Sequence, residues 1–184
     1  ANTSLSVESF VTGDIQKQMK IAKDLAGING TGAAGQPLGI FNMTGLSTSV
    51  TFGAAATYAK VLEFETNVAA NNAEVDAMAY ITTPGSRGKW KAAAKSGTNN
   101  GFIWEPGNIV NGYNAFATNQ VPGNKVLYGN FDDAVFGEWA GVDITVDPYT
   151  LAGDNKIRVI ITLLCDFVVR HTQSFAISTD SGAQ

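Results

Sequence analysis

Val7, Phe10, Val11, Ile15, Met19, Ala22, Leu25 and Ala26 recur at steps of three and four, the spacing of one helical face. The spacing predicts an amphipathic helix from about Ser6 to Ala26, with its apolar stripe laid on other parts of the chain. Ser6 or Ser4 can cap its start, and Gly27 or Gly30 can take the left-handed conformation that ends it.

The helix runs into GINGTGAAGQPLGI, where Gly30, Gly32 and Gly35 formally match the G-x-G-x-x-G dinucleotide fingerprint. A true fingerprint follows a buried strand and opens a helix, because the pyrophosphate sits on free N–H groups at that helix's N-terminus. Here a helix precedes the glycines, and Pro37 disfavours helical geometry at Gln36 just after them. The motif therefore reads as a turn, and no cofactor is expected.

A chain of 184 residues with 45% hydrophobic and 15% charged residues is long enough for a real core and poorer in charge than most globular chains. Part of its surface is expected to be buried against partners. The net charge of −4, without a cluster of Lys and Arg, argues against sequence-specific nucleic-acid binding and against a membrane-surface role. No run approaches 18 consecutive apolar residues, and no leader pattern is present. A start at Ala1 rather than Met suggests a processed or truncated product.

Cys165 is the only cysteine and His171 the only histidine, which excludes an intrachain disulfide and any zinc site made of these two types alone. Both fall in IRVIITLLCDFVVRHTQSFAIS. On one strand, six residues hold their side chains about 20 Å apart, too far for a nucleophile–base pair. Cys165 is expected as a small buried apolar residue and His171 as a surface or interface residue. No metal site is expected.

The middle of the chain alternates helix and strand. SVTF (49–52) is short and β-like, Tyr58, Val61, Leu62, Glu65 and Val68 have helical spacing, and MAYITT (78–83) reads as a buried strand. Thr83 and Pro84 then form an N-cap and first helical position. SGTNNG (96–101) is a loop by composition. The last third is mostly β: YNAFA, a PGNK turn, KVLYG, the half-exposed alternation GVDITVDP, a long run over 156–170, and SFAIS. The fold class is α+β.

Asp132, Asp133 and Glu138 flank Phe131, Phe136 and Trp139, a mixture compatible with a glycosidase pair or a sugar-stacking platform. Adjacent aspartates more often mark a turn or cap, and the aromatics read more economically as core. Asp143 and Asp147 find no further ligands that would make a metal site.

The order of these features carries a resemblance. LAGINGTG, then GQPLGIFN, then YITTPGSRGKWKAA, then KVLYGNFDDAVFGEWAGVDITVDPYT, then NKIRVIITLLCDFVVRHTQSFAIS resembles the major capsid proteins of tailed bacteriophages with the HK97-type fold, over nearly the whole chain. The resemblance implies a structural subunit of a bacteriophage or prophage icosahedral shell that encloses double-stranded DNA by self-assembly into pentamers and hexamers. It implies no enzyme, no cofactor and no membrane. The implied partner is the chain itself, with room for scaffolding, portal or decoration proteins, and the implied location is the virion capsid, assembled in the bacterial host cytoplasm. An encapsulin-like compartment is the alternative within the fold, and a carbohydrate-active or carbohydrate-binding β domain the alternative from another class.

By segment, the resemblance implies a peripheral-domain spine helix and turn over 1–46, an axial α/β domain over 47–145, and peripheral-domain antiparallel strands over 146–184. Relatives carry an N-terminal arm and a projecting hairpin loop ahead of the spine helix, so this chain reads as a C-terminal fragment, a monomer or weak small oligomer by itself. The loop that would supply the lysine of an intersubunit lysine–asparagine bond is absent, and Val159 and Ile160 stand where the asparagine is sought; no such cross-link is expected. Residues 96–112 are expected to approach a symmetry axis, with Phe102, Ile103, Trp104 and Glu105 as intersubunit contacts, because a loop rimmed by Gly97, Gly101, Gly107 and Gly112 cannot easily bury that apolar area in its own subunit.

Overall fold

The computed structural model describes residues 3–47, 49–53, 55–73, 77–96, 101–147, 149–154 and 156–180. Among the described residues three α-helices, α1 (Thr3–Asn29), α2 (Tyr58–Ala69) and α3 (Pro84–Ala92), accompany eight strands. The strands are β1 (Met78–Thr82), β2 (Trp104–Glu105), β3 (Ile109–Val110), β4 (Tyr113–Ala117), β5 (Val126–Asn130), β6 (Ala134–Asp147), β7 (Arg158–Val169) and β8 (Phe175–Ile177). Six strands form a sheet in the order β2-β3-β4-β1-β5-β8, and β6 and β7 form a separate two-stranded ribbon.

The six-stranded sheet is mixed. β1 runs parallel to β4, with α3 in the crossover between them, and antiparallel to β5. Its period-2 geometry divides the side chains between two cores. On one face, Met78 and Tyr80 of β1 and Val126 and Tyr128 of β5 pack with Val61, Phe64 and Val68 of α2 and Trp90 of α3. On the other, Leu127 meets Ile40, Phe41, Val121, Val169 and Phe175. β5 is buried along its whole length because both of its faces are covered. The first core is aromatic: the Tyr80 and Tyr128 rings lie 4.4 Å apart, with Phe64 edge-on to Tyr80 at 6.1 Å and Phe52 tilted against Trp90 at 5.6 Å. Burial pushes the phenols of Tyr80 and Tyr128 far above their ordinary range.

α3 begins as its sequence dictates: Thr83 Oγ1 accepts from Ser86 N at 3.2 Å, and Pro84 occupies the first turn. SVTF forms no strand of its own; Val50 only bridges Ser178, in parallel.

α1 extends beyond the expected bounds, from Thr3 to Asn29, so Ser4 and Ser6 lie inside the helix rather than capping it. Gly27 is helical too, buried with Phe167 across from it. From Gly13 onward the more covered side of α1 holds Ile15, Met19, Lys23, Ala26 and Gly27, whereas Ala22, Ile21 and Leu25 are exposed. The helix ends through backbone packing, not a left-handed Gly30. Gly39 N donates to Gly30 O at 2.9 Å, Gly32 N donates to Pro37 O at 3.2 Å, and Asn42 Nδ2 donates to Gly30 O at 2.9 Å. A Cβ on Gly30 would stand 2.2 Å from Pro37 O, and one on Gly39 would stand 2.4 Å from Gly30 N. These glycines are required by close approach of two backbone segments.

The boundary expected at 145/146 falls inside β6. From Ala134 on, that strand pairs with β7 rather than with the large sheet, and β8 joins the large sheet beside β5. The ribbon leaves the sheet at a polar clamp. Asn130 Oδ1 accepts from Asp132 N at 3.0 Å, Ser174 Oγ donates to Asp133 Oδ2 at 2.7 Å, and Arg170 N donates to Asp133 O at 2.8 Å.

Candidate functional site

The chemistry-bearing residues are dispersed. Cys165 lies in β7, partly exposed rather than buried as expected, because the ribbon is only two strands wide and its face with Glu138 and Phe167 is only partly covered. His171 lies past the end of β7 and is exposed. Asp133 belongs to the clamp, Asp132 to the 3-10 turn at Phe131–Asp133, and Glu138 forms an ion pair with Lys23 of α1, whose ammonium also lies 5.1 Å from the Phe136 ring. The carboxylates of Asp133 and Glu138 hold structural partners on different elements. Among the described residues, no group of three or more His, Cys, Asp or Glu is arranged to hold a metal ion. The fingerprint glycines turn the chain back into a Thr31–Leu38 bridge, and the N–H groups of Gly32 and Gly39 are bonded to backbone.

Of the four residues expected at a subunit contact, two are not where the sequence reading put them. Ile103 is fully buried and Trp104 only 3% exposed, both in the aromatic core. The expectation that this loop cannot bury its apolar area fails because the segment is not a free loop. Ile103 N donates to Ala93 O at 2.9 Å, Trp104 pairs with Val110 in the β2–β3 hairpin, and Trp104 Nε1 donates to Asn108 Oδ1 at 3.3 Å. Phe102 does stand out, 53% exposed. It lines a shallow groove with Lys91, Trp104, Glu105 and residues 106–108, and Glu105 forms an ion pair with Lys95 at its side. Residues 97–100 of the expected loop lie outside the described residues.

The larger exposed apolar surface is elsewhere, and sequence reasoning missed it. On the ribbon face opposite Glu138 and Phe167, Val135 pairs with Val168 and Trp139 with Leu164, all four exposed, and the Trp139 ring lies against Gly137. Trp139, read from sequence as core, is 59% exposed. Past the register shift between Trp139 and Asp143, both faces open: Val142, Ile144, Val146, Ile157, Val159 and Ile160 are exposed, with Tyr149 at 86%. The alternation in GVDITVDP suggested a half-exposed strand, whereas residues 141–146 are exposed throughout. The available signal was β-branched residues on both parities of the 157–161 run, which in a soluble subunit implies cover on both faces. The pair expected for a sugar platform is not assembled at Trp139, which stands across from Leu164 while Glu138 lies on the other face with Lys23.

No helix among the described residues is long and apolar enough to cross a membrane. Exposed apolar surface of this extent marks a site of contact with a protein, a membrane or a ligand.

Comparison with known proteins agrees with that geometry. A major capsid protein of Halomonas phage phiHAP-1 is 28% identical over 180 residues, which is 98% of this chain and 30% of that protein. Among solved structures, the capsid of a native GTA particle superposes with a TM-score of 0.71 at 13% identity, over 94% of this chain and 65% of the other. The holo-SrpI encapsulin complex from Synechococcus elongatus PCC 7942 gives 0.56 at 16% identity, over 98% and 67%. This chain thus spans less than a third of the curated relative and about two thirds of the structural neighbours, and the fold is HK97-like. The pattern of the phage capsid family matches residues 1–180, and the chain belongs to that family.

Proposed function

We propose that this chain is the shell-forming part of a major capsid protein: a structural, non-enzymatic subunit of a bacteriophage or prophage icosahedral capsid that encloses double-stranded DNA, built by self-assembly into pentamers and hexamers. The observation that carries this reading is a member of the phage capsid family whose α1 and β6–β7 ribbon leave apolar side chains exposed on opposite sides. Repeated copies of the chain supply the missing cover, through many modest contacts rather than one tight one.

In this reading α1 with β6–β7 is the peripheral part, and the six-stranded sheet with α2 and α3 is the axial part. The intersubunit role assigned to residues 102–105 narrows to Phe102, with Glu105 at its rim; Ile103 and Trp104 hold the hairpin in place from inside the subunit. A net charge of −4 suits a wall that contains DNA without gripping its sequence. Scaffolding, portal and decoration proteins are the further partners expected in the virion, with assembly in the bacterial host cytoplasm. Negative-stain microscopy of the full-length protein tests the reading: closed shells are expected, and failure to assemble under any condition that keeps it folded overturns it. Specific capture of a cargo peptide inside the shells would favour the encapsulin-like alternative.

A further inference from the structure

β7 has one free edge. Its other edge pairs with β6 from Val169 to Arg158, and no second strand pairs with it among the described residues. Exposed edges normally carry Pro, Lys, a bulge or short length to block strand addition. The twelve residues of β7, RVIITLLCDFVV, contain neither Pro nor Lys. The irregularity in the ribbon adds its extra residues to β6, between Trp139 and Asp143, so β7 itself stays regular.

We infer that β7 pairs edge to edge with β7 of a second copy, antiparallel about a twofold axis at Thr162, giving a continuous four-stranded sheet. This rests on the self-assembly reading above and names one contact within it. The register follows from the sequence of the edge. A twofold at Thr162 sets Arg158 opposite the partner's Asp166, and the same pair recurs on the other side of the axis. Ile160 then meets the partner's Leu164, Ile161 the partner's Leu163, and Val159 the partner's Cys165. Opposite charges and aliphatic pairs directly across a strand junction are stabilising combinations. Moving the axis one residue toward the C-terminus sets Arg158 against Val168 and Asp166 against Ile160. Moving it the other way sets Arg158 against Leu164.

Arg158 and Asp166 share one face of β7, Arg158 also standing across from Asp147, on whose carboxylate its charge acts. Asp166 lies opposite Gly137 of β6, over which the Trp139 ring is laid, and its carboxylate accepts only its neighbour Phe167 N, at 2.8 Å, among the described residues. Arg158 lies opposite Asp147, whose carboxylate is also engaged by the Thr150 hydroxyl and the amides of Tyr149 and Thr150. Arg158, Ile160, Thr162, Leu164 and Asp166 share the face turned away from Glu138 and Phe167, so pairing joins two copies of one apolar surface.

Cysteine cross-linking and charge reversal test this on the chain as it stands. Val159→Cys under mild oxidation should give a disulfide to the partner's Cys165, lost when Cys165 is also made Ser. Thr162→Cys should cross-link to its own symmetry mate. The two positions differ in parity, so one of them occupies the non-hydrogen-bonded site where facing residues are closest, and both pair types lie within disulfide reach. Wild-type Cys165 lies away from the axis and should not cross-link to itself. In sedimentation, Arg158→Asp and Asp166→Arg should each weaken dimerisation by about tenfold, from two like-charge contacts per axis, and the double variant should restore it. Failure of both cysteine variants to cross-link while circular dichroism remains native overturns the inference, as does a double charge variant no better than the singles. Shells without these cross-links would reject this contact and leave the capsid reading standing. Cross-links without shells would do the reverse.

Discussion

The six-stranded sheet and the β6–β7 ribbon are made of similar residues and treat them in opposite ways. In the sheet, β5 buries every side chain, and two tryptophans, Trp90 and Trp104, vanish into one aromatic core. In the ribbon, the third tryptophan, Trp139, lies open beside Leu164, and the distal strands are exposed on both faces. A two-stranded element has too few neighbours to bury a face of its own. Hydrophobicity therefore specifies two different things in this chain: a fold that closes on itself in the sheet, and in the ribbon an apolar surface that the described residues leave open.

The sharpest way to break this contrast is to exchange the fates of the tryptophans. Trp104→Ala should destabilise the chain by about 3–5 kcal/mol in urea unfolding, as loss of a buried Trp does. Trp139→Ala should change stability by no more than about 1 kcal/mol yet impair shell formation by the full-length protein. Comparable losses of stability from both would erase the distinction between the regions.

Backbone contact gives the next effect. Gly30→Ala places a methyl group against Pro37 O and Ala26 O, at 2.2 and 2.5 Å, and should lower thermal stability by several degrees, since neither oxygen belongs to a flexible side chain. Gly13→Ala, where a Cβ meets nothing within 4 Å, should instead be neutral or slightly stabilising. Phe102→Ala should cost under about 1 kcal/mol in the isolated chain and show itself in assembly yield.

The smallest effect concerns the turn at the ribbon's tip. Hydrogen bonds from the Thr150 hydroxyl first, then from the Thr150 and Tyr149 amides, hold the Asp147 carboxyl below the usual carboxylate range. A depressed pKa contributes stability at neutral pH that is lost as pH falls through the folded value. Amide protection at Tyr149 and Thr150 should therefore drop on acidification below about pH 4, and Asp147→Ala should show the low protection already at pH 7. Equal protection in the variant would mean that the cap does not order the tip.

Local patterns in the sequence were read well where local physics decides the outcome. Thr83-Pro84 starts a helix by its own chemistry, the spacing over Tyr58–Val68 makes α2, and Pro37 keeps the glycine motif from opening a helix. The errors share a cause. Trp104 was assigned to a contact and Trp139 to a core because each was judged by its neighbours in the chain, glycines for one and aromatics for the other. What decides burial is which strands lie across from them: β3, with the α3–β2 packing, covers Trp104, and nothing among the described residues covers the outer face of β6. The split of β6 and β8 between two sheets is likewise a matter of non-local pairing, invisible to periodicity.

The clamp around Asp133 has a mechanical meaning. β6 leaves the sheet and β7 returns to it at the same point, where Arg170 N is bonded to Asp133 O, and α1 props the proximal part through Lys23–Glu138 and Gly27–Phe167, so the ribbon is a beam held at its near end. The regular 12-residue partner strand β7 gives a reach of about 40 Å at 3.3 Å per residue. A tilt of about five degrees at the root moves the free end by about 3.5 Å at that reach. In the proposed shell, such leverage would reconcile subunits that meet at different angles, with the aromatic core undisturbed.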